Sequence, residues 1–182
     1  LGQIGYITLG IGLANVPGLT GGIVHLFNHA LMKTALFMSL GAIVYRIGTV
    51  KLADLAGIGR QMPLTMGAFT LGALSMIGIP PTCGFFSKFY LIRGGIEAGQ
   101  WEYVVALLVS SVINAVLFFR IIEIAYFHPP AGDGAADGAP AAAGPAIKEA
   151  PLSMLLPFVA ASVALLLIGL FNKEIVGLIE QT

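Results

Sequence analysis

The chain has 182 residues, of which 57% are hydrophobic and 10% charged, and its nine basic and nine acidic side chains cancel. Soluble domains carry about a quarter charged residues, so the composition excludes that class. It also gives no support to nucleic-acid binding, because there is no basic cluster interleaved with aromatics. The apolar residues form continuous runs that do not alternate, which points to an all-α, polytopic transmembrane helical bundle rather than a barrel.

In chain order, the first apolar segment covers 1–16. It is short for a span of about 20 residues. Pro17–Gly18 is expected to close it. Leu1 is already apolar and no charged leader precedes it, so this is not read as a signal peptide. The chain is expected to be part of a longer protein. The second segment, 19–46, is long enough to cross and ends at Arg46. A polar loop, 47–62, follows with Lys51, Asp54 and Arg60.

The third segment, 63–98, is too long for one straight crossing of about 20 residues. "GIPPTCG" interrupts it, with the break near 80–84. Two successive prolines remove two backbone donors and disfavour helix just before them. The segment is therefore either two crossings or one crossing by a broken helix. Segments 102–127 and 152–172 are ordinary spans, and 173–182 is a tail. Between them, 128–151 is Ala/Gly/Pro-rich and is expected to be a flexible loop outside the membrane.

With one broken crossing, Arg46, Lys51, Arg60 and Lys148 share a side, which the positive-inside rule makes cytoplasmic, while Arg93 and Lys173 lie opposite. Two crossings would move Lys148 across without weakening the bias, so charge alone does not decide. The severity of the interruption, with a charged residue just beyond it, favours one broken crossing.

The charges inside the apolar runs carry the functional reading. His25, His29 and Lys33 are spaced i, i+4, i+8, and each step of four residues rises about 6 Å and turns about 40°. They form one slowly turning stripe whose heads reach each other directly or through a water. An unpaired charge at mid-bilayer costs about 2.5–3.5 kcal/mol on insertion scales, so such a stripe needs a polar or wetted interior. Snorkelling suits a lysine near a helix end, but Lys33 is near the middle of its segment. Each histidine alone could serve as an interhelical hydrogen-bonding group. Together, groups titrating near neutral pH can hand protons along a line. No metal site is expected, because no acidic or Cys ligand lies nearby in sequence and the Glu of HExxH is absent.

Lys88 follows the double proline in "GFFSKFYLIRGG". Broken membrane helices free polar backbone groups at depth and recur at ion sites. Lys88 is therefore a candidate functional ammonium, with Ser87 and Thr82 as hydroxyls able to hold water. Arg120 and Glu123 are spaced i, i+3 near a helix end. They read as an interfacial ion pair or, alternatively, as a proton entry or exit group. Asn114 lies deeper, placed to hydrogen-bond across helices. The single Cys83 reads as a small apolar packing residue. No Gly-rich nucleotide fingerprint and no cysteine cluster occurs, so no cofactor is expected on this chain.

"QIGYITLGIGLA", "HLFNHALMKTALFMSLGAIVY" and "GIPPTCGFFSKFYLI" together resemble the antiporter-like membrane subunits of respiratory complex I, of multisubunit sodium/proton antiporters and of membrane-bound hydrogenases. The resemblance covers residues 1–127. It implies a fourteen-helix fold with two inverted five-helix repeats, each with a broken helix, of which this chain would supply the second. It implies a midplane proton path in which His25, His29 and Lys33 are connecting groups and Lys88 is the broken-helix lysine. It further implies other membrane subunits as partners, protons or sodium as the carried ion, surrounding lipid, and a bacterial or archaeal cytoplasmic membrane. Three functions follow as expectations: a proton-translocating subunit of an NADH:quinone oxidoreductase or hydrogenase-like complex, a subunit of a sodium/proton antiporter, and a non-conducting structural subunit.

Overall fold

Asn15 starts the longest helix among the described residues. Its side chain accepts from the Gly18 amide at 2.8 Å and its amide nitrogen donates to Gly94 O at 2.8 Å, so one residue both caps a helix and ties it to a distant one. In the computed structural model, which describes residues 2–49, 51–129 and 147–172 together with Glu174 and Gly177, the helices are α1 (Gly2–Gly12), α2 (Val16–Ile47), α3 (Ile58–Gln61), α4 (Pro63–Ile77), α5 (Cys83–Glu97), α6 (Trp101–Phe127) and α7 (Leu152–Leu170). Among the described residues there is no strand. The fold is an all-α bundle. α2, α6 and α7 are each long and apolar enough to cross a membrane.

Pro17 lies in the first turn of α2 rather than closing the segment before it. That position suits proline, because the first helical amides have no intrahelical acceptor in any case. The turn between α1 and α2 is consequently tight, with Ala14 at φ 49°. Residues 47–62 are more than a polar loop. A 3₁₀ turn (Leu52–Leu55) and α3 bury Leu55, Ile58 and Met62 beneath the bundle.

α2 is the spine. Gly72 of α4 faces Ala35 and Leu36, Gly84 faces Met32, Gly21 faces Leu91, and Gly18 faces Gly94. As the numbers rise along α4 and α5, their neighbours on α2 fall. The two half-helices therefore lie end to end, antiparallel to α2, with a break at 78–82 that contains the cis Pro80–Pro81 bond. Each half has 15 residues, about 22 Å of helix, so neither alone matches a hydrocarbon core of about 30 Å.

In lipid, apolar side chains gain little by leaving one apolar medium for another, so close packing and buried hydrogen bonds hold helices together. Small residues make that packing possible here. A Cβ on Gly84 would stand 1.9 Å from Ser75 O, and one on Gly169 would stand 2.0 Å from Pro81 O. α7 fits against α2 and α4 through Phe158, Ala161 and Leu165, and the Ser162 hydroxyl lies 3.1 Å from Ala68 O. The seam where α4 meets α5 is thus closed by backbone on both sides.

Residues 130–146 of the expected loop, Leu1, Lys173 and most of the expected tail lie outside the described residues. The last residues before α7 are pinned. The Ile147 amide donates to Gln61 Oε1 at 3.0 Å, and Glu149 accepts from the first amides of α4.

Candidate functional site

α4 ends where proline prevents the helix from continuing, which leaves its last carbonyls without helical partners. Gly78, at φ 94°, turns the chain away, and its amide closes onto Leu74 O. The Lys88 ammonium takes up two of the free carbonyls, Met76 O at 3.0 Å and Ile77 O at 2.9 Å, and donates its third hydrogen to Ser111 Oγ of α6 at 3.0 Å. All three N–H groups are satisfied although the residue is only 6% exposed. A helix C-terminus also presents the negative end of its dipole, which favours a cation. The break therefore supplies the acceptors and the field that let a lysine be buried here. The Tyr6 ring of α1 lies beneath the ammonium at 5.2 Å, and its hydroxyl donates to Ser110 Oγ at 2.7 Å.

His25, fully buried on α2, meets the same cluster from the other side. Its ring packs edge-on to Tyr6 with centroids 5.3 Å apart. Nδ1 lies 2.9 Å from Ser87 Oγ and Nε2 lies 3.0 Å from Gln3 Oε1. The Ser87 hydroxyl also has Gly84 O within reach at 3.2 Å. With Nε2–H donating to Gln3, a neutral His25 accepts at Nδ1 from Ser87. A protonated His25 donates from Nδ1 to Ser87, whose hydroxyl hydrogen then turns to Gly84 O. Both charge states are fully hydrogen-bonded, so the site can accept and release a proton without orphaning a buried group.

His29 stacks parallel to His25, with centroids 6.2 Å apart and planes 4° from parallel, and its Nε2 is buried without a hydrogen-bond partner among the described residues. Lys33, one turn further on, departs from this cluster. It is exposed, its ammonium rests over the Phe37 ring at 4.6 Å, and it stands at the rim of a cavity of about 310 Å³ lined by apolar residues including Leu36, Leu55, Met66 and Phe69. The structure thus gathers Lys88, His25 and His29 and leaves Lys33 on an outer stripe of α2 that also carries Phe27, Phe37 and Tyr45.

Arg120 and Glu123 form an exposed ion pair at 2.8 Å, with His128 3.8 Å from the same carboxylate. Nine residues separate Arg120 from Ser111, about 13 Å along the helix, so the pair is not part of the cluster. Arg93 pairs with Glu97 on the surface. Asn28 is the buried amide that bridges helices, donating to Cys83 O at 2.9 Å where α5 begins. Among the described hydrogen bonds Asn114 has none with another residue's side chain. Sequence reading did not find Gln3, Tyr6, Ser110 or Ser111 as site residues. Periodicity links residues on one helix, and these come from α1 and α6, up to 104 positions from their partners.

A buried, hydrogen-bonded lysine at a helix break, facing a histidine that is satisfied in both charge states, sets the class as an all-α membrane bundle with a polar cluster in its interior. Within that class, residues 1–114 match the family described as NADH:quinone oxidoreductase/Mrp antiporter, TM, and the chain belongs to it. It is an integral membrane protein. It is 45% identical over 181 residues, 98% of the chain, to NADH-quinone oxidoreductase subunit N of Desulforudis audaxviator (strain MP104C), of which it covers 36%. The chain therefore spans about a third of the length of that relative. Its fold is similar to a chain of the Mrp complex from Dietzia sp. DQ12-45-1b, with TM-score 0.83 and 31% identity, covering 96% of this chain and 39% of that one. It is also similar to a chain of the membrane-bound sulfane sulfur reductase, an archaeal respiratory membrane complex, with TM-score 0.78 and 27% identity, covering 92% of this chain and 26% of that one.

Proposed function

We propose that this chain forms part of a proton-translocating, antiporter-like subunit of a redox-driven complex of the NADH:quinone oxidoreductase type, set in a bacterial or archaeal cytoplasmic membrane beside other membrane subunits. The observation that carries the reading is Lys88, buried at the helix break with its three N–H groups on Met76 O, Ile77 O and Ser111 Oγ. α4 and α5 together make one crossing, which places the break and Lys88 at mid-depth. Protons pass among Lys88, His25 and His29, and a change of charge at one shifts the proton affinity of its neighbours through a poorly screening interior. Lys33 continues the path on the outer stripe of α2. A charge left facing lipid there would cost about 2.5–3.5 kcal/mol, so we assign that stripe to contact with the rest of a longer protein. Arg120 and Glu123 serve as an interfacial pair outside the path. The 45% identity to a quinone oxidoreductase subunit supports the redox-driven reading, and the likeness to an Mrp complex supports a second one, a subunit of a cation/proton antiporter.

In inverted vesicles carrying the assembled complex, Lys88→Met and Lys33→Met should each abolish proton uptake while assembly is retained. Uptake at the wild-type rate in both variants would leave only a structural role. Uptake that requires sodium and no electron donor would favour the antiporter.

A further inference from the structure

We propose that Glu149 is a positioning residue for Lys88, acting along the whole length of α4. This inference rests on the proton-path reading above. Glu149 is the last charged residue before α7. Its carboxylate sits on the N-terminus of α4, accepting from the Leu64 amide at 3.0 Å, from the Thr65 amide at 3.3 Å and from the Thr65 hydroxyl. The residue is itself held in place. Arg46, at the end of α2, donates to the Glu149 carbonyl, and the Ile147 amide donates to Gln61. Ala150, next along, is buried.

The other end of the same helix carries Met76 O and Ile77 O, the two carbonyls that hold the Lys88 ammonium. α4 is thus a single rod of 15 residues with an anion on its positive end and a cation on its negative end. Both charges complement the helix dipole. Met62 gives α4 no side-chain cap of its own, so the remote carboxylate supplies the acceptors that the helix start requires. A rod fixed axially at one end presents its far carbonyls at a fixed distance. Release of Glu149 frees α4 to slide or fray, and the grip on Lys88 loosens with it. Among the described residues, the ionisable side chains beside Lys88 are Tyr6 from α1, under the ammonium, and His25 from α2, which packs on Tyr6 and reaches Ser87, the neighbour of Lys88. α4 presents carbonyls, α6 the Ser111 hydroxyl, and α7 has no ionisable residue between Leu152 and Leu170.

The test uses the full-length subunit in its complex, in inverted vesicles, with uptake followed by a pH dye across a range of pH and normalised to assembled complex. Glu149→Gln should lower uptake about fivefold and move the alkaline limb of the profile to lower pH by about half a unit, because the ammonium is held less firmly. Glu149→Asp keeps the charge at shorter reach and should give a smaller shift in the same direction, which also serves if Glu149→Gln does not assemble. A profile that stays in place in the variants that assemble, or a loss that only follows the amount of complex, overturns the inference. Lys88→Met is run alongside. If it pumps like wild type, the proton-path reading itself fails. If it is silent while Glu149→Gln keeps the wild-type profile, only the role of Glu149 fails.

Discussion

Lys88 and Lys33 are the same residue type in two opposite settings, and the contrast explains what each requires. Lys88 is enclosed, and every hydrogen on its ammonium has an acceptor within the chain. Two of those acceptors exist because a helix stops beside it. Lys33 emerges from the middle of an unbroken 32-residue helix, where the backbone carbonyls are taken up by the helix itself, and its described neighbour is the face of Phe37. The buried Lys88 ammonium draws its partners from irregular backbone and a hydroxyl. A lysine on a regular helix must find them on another element, and for Lys33 the described residues offer an apolar cavity instead. The Lys88 side of the protein is self-sufficient, while the Lys33 side is the one whose partners we assign to the remainder of a longer protein.

The sharpest way to break this comparison is to add one methyl group on each side. At Gly84 a Cβ would stand 1.9 Å from Ser75 O, so Gly84→Ala must push the two half-helices apart beneath Lys88. We expect a loss of about 3 kcal/mol, read as a lower melting temperature of the purified complex, together with loss of proton uptake. Gly41 lies two turns beyond Lys33 and a Cβ there meets nothing within 4 Å among the described residues, so Gly41→Ala should cost far less than Gly84→Ala on both measurements. Equal sensitivity at the two glycines would erase the distinction.

A smaller effect tests the saturation of Lys88 alone. Ser111→Ala removes one of its three acceptors and leaves a buried N–H unpaired, at about 1–3 kcal/mol. Uptake should fall severalfold with assembly intact, and Ser111→Thr should restore it. The smallest effect is expected at Arg120→Gln. The exposed pair with Glu123 stands apart from both lysines, so uptake within the error of wild type is the outcome. A large loss at Arg120 would bring that pair into the path.

Much of this arrangement is legible in the residues. The double proline announces the break, and a lysine about two helical turns past it announces the site. The four-residue spacing of His25, His29 and Lys33 announces a stripe. The spacing does not reveal that the stripe separates. A step of four residues turns about 40°, so the direction at Lys33 has swung about 80° from that at His25 and leaves the interior. Tyr6 and Ser111 are ordinary residues in apolar helices, and only the folded chain brings them to Lys88. Glu149 is harder still to find. It ends an Ala/Gly/Pro-rich stretch whose composition suggests no fixed contacts, and its partner is a helix start more than eighty residues earlier. Pro17 reads as a stop signal in isolation, and the Asn15 cap two residues before it turns it into a start.

The shared hydroxyl of Ser87 has a kinetic consequence. The change that accommodates a charge on His25 is the rotation of one O–H bond between two acceptors that are already in place. No heavy atom has to travel and no helix has to bend. Turning a hydroxyl hydrogen is a local change that calls on none of the slower domain motions. In the proton path we propose, the step at this position would then wait on the arrival of a hydrogen ion and not on the protein making room for it.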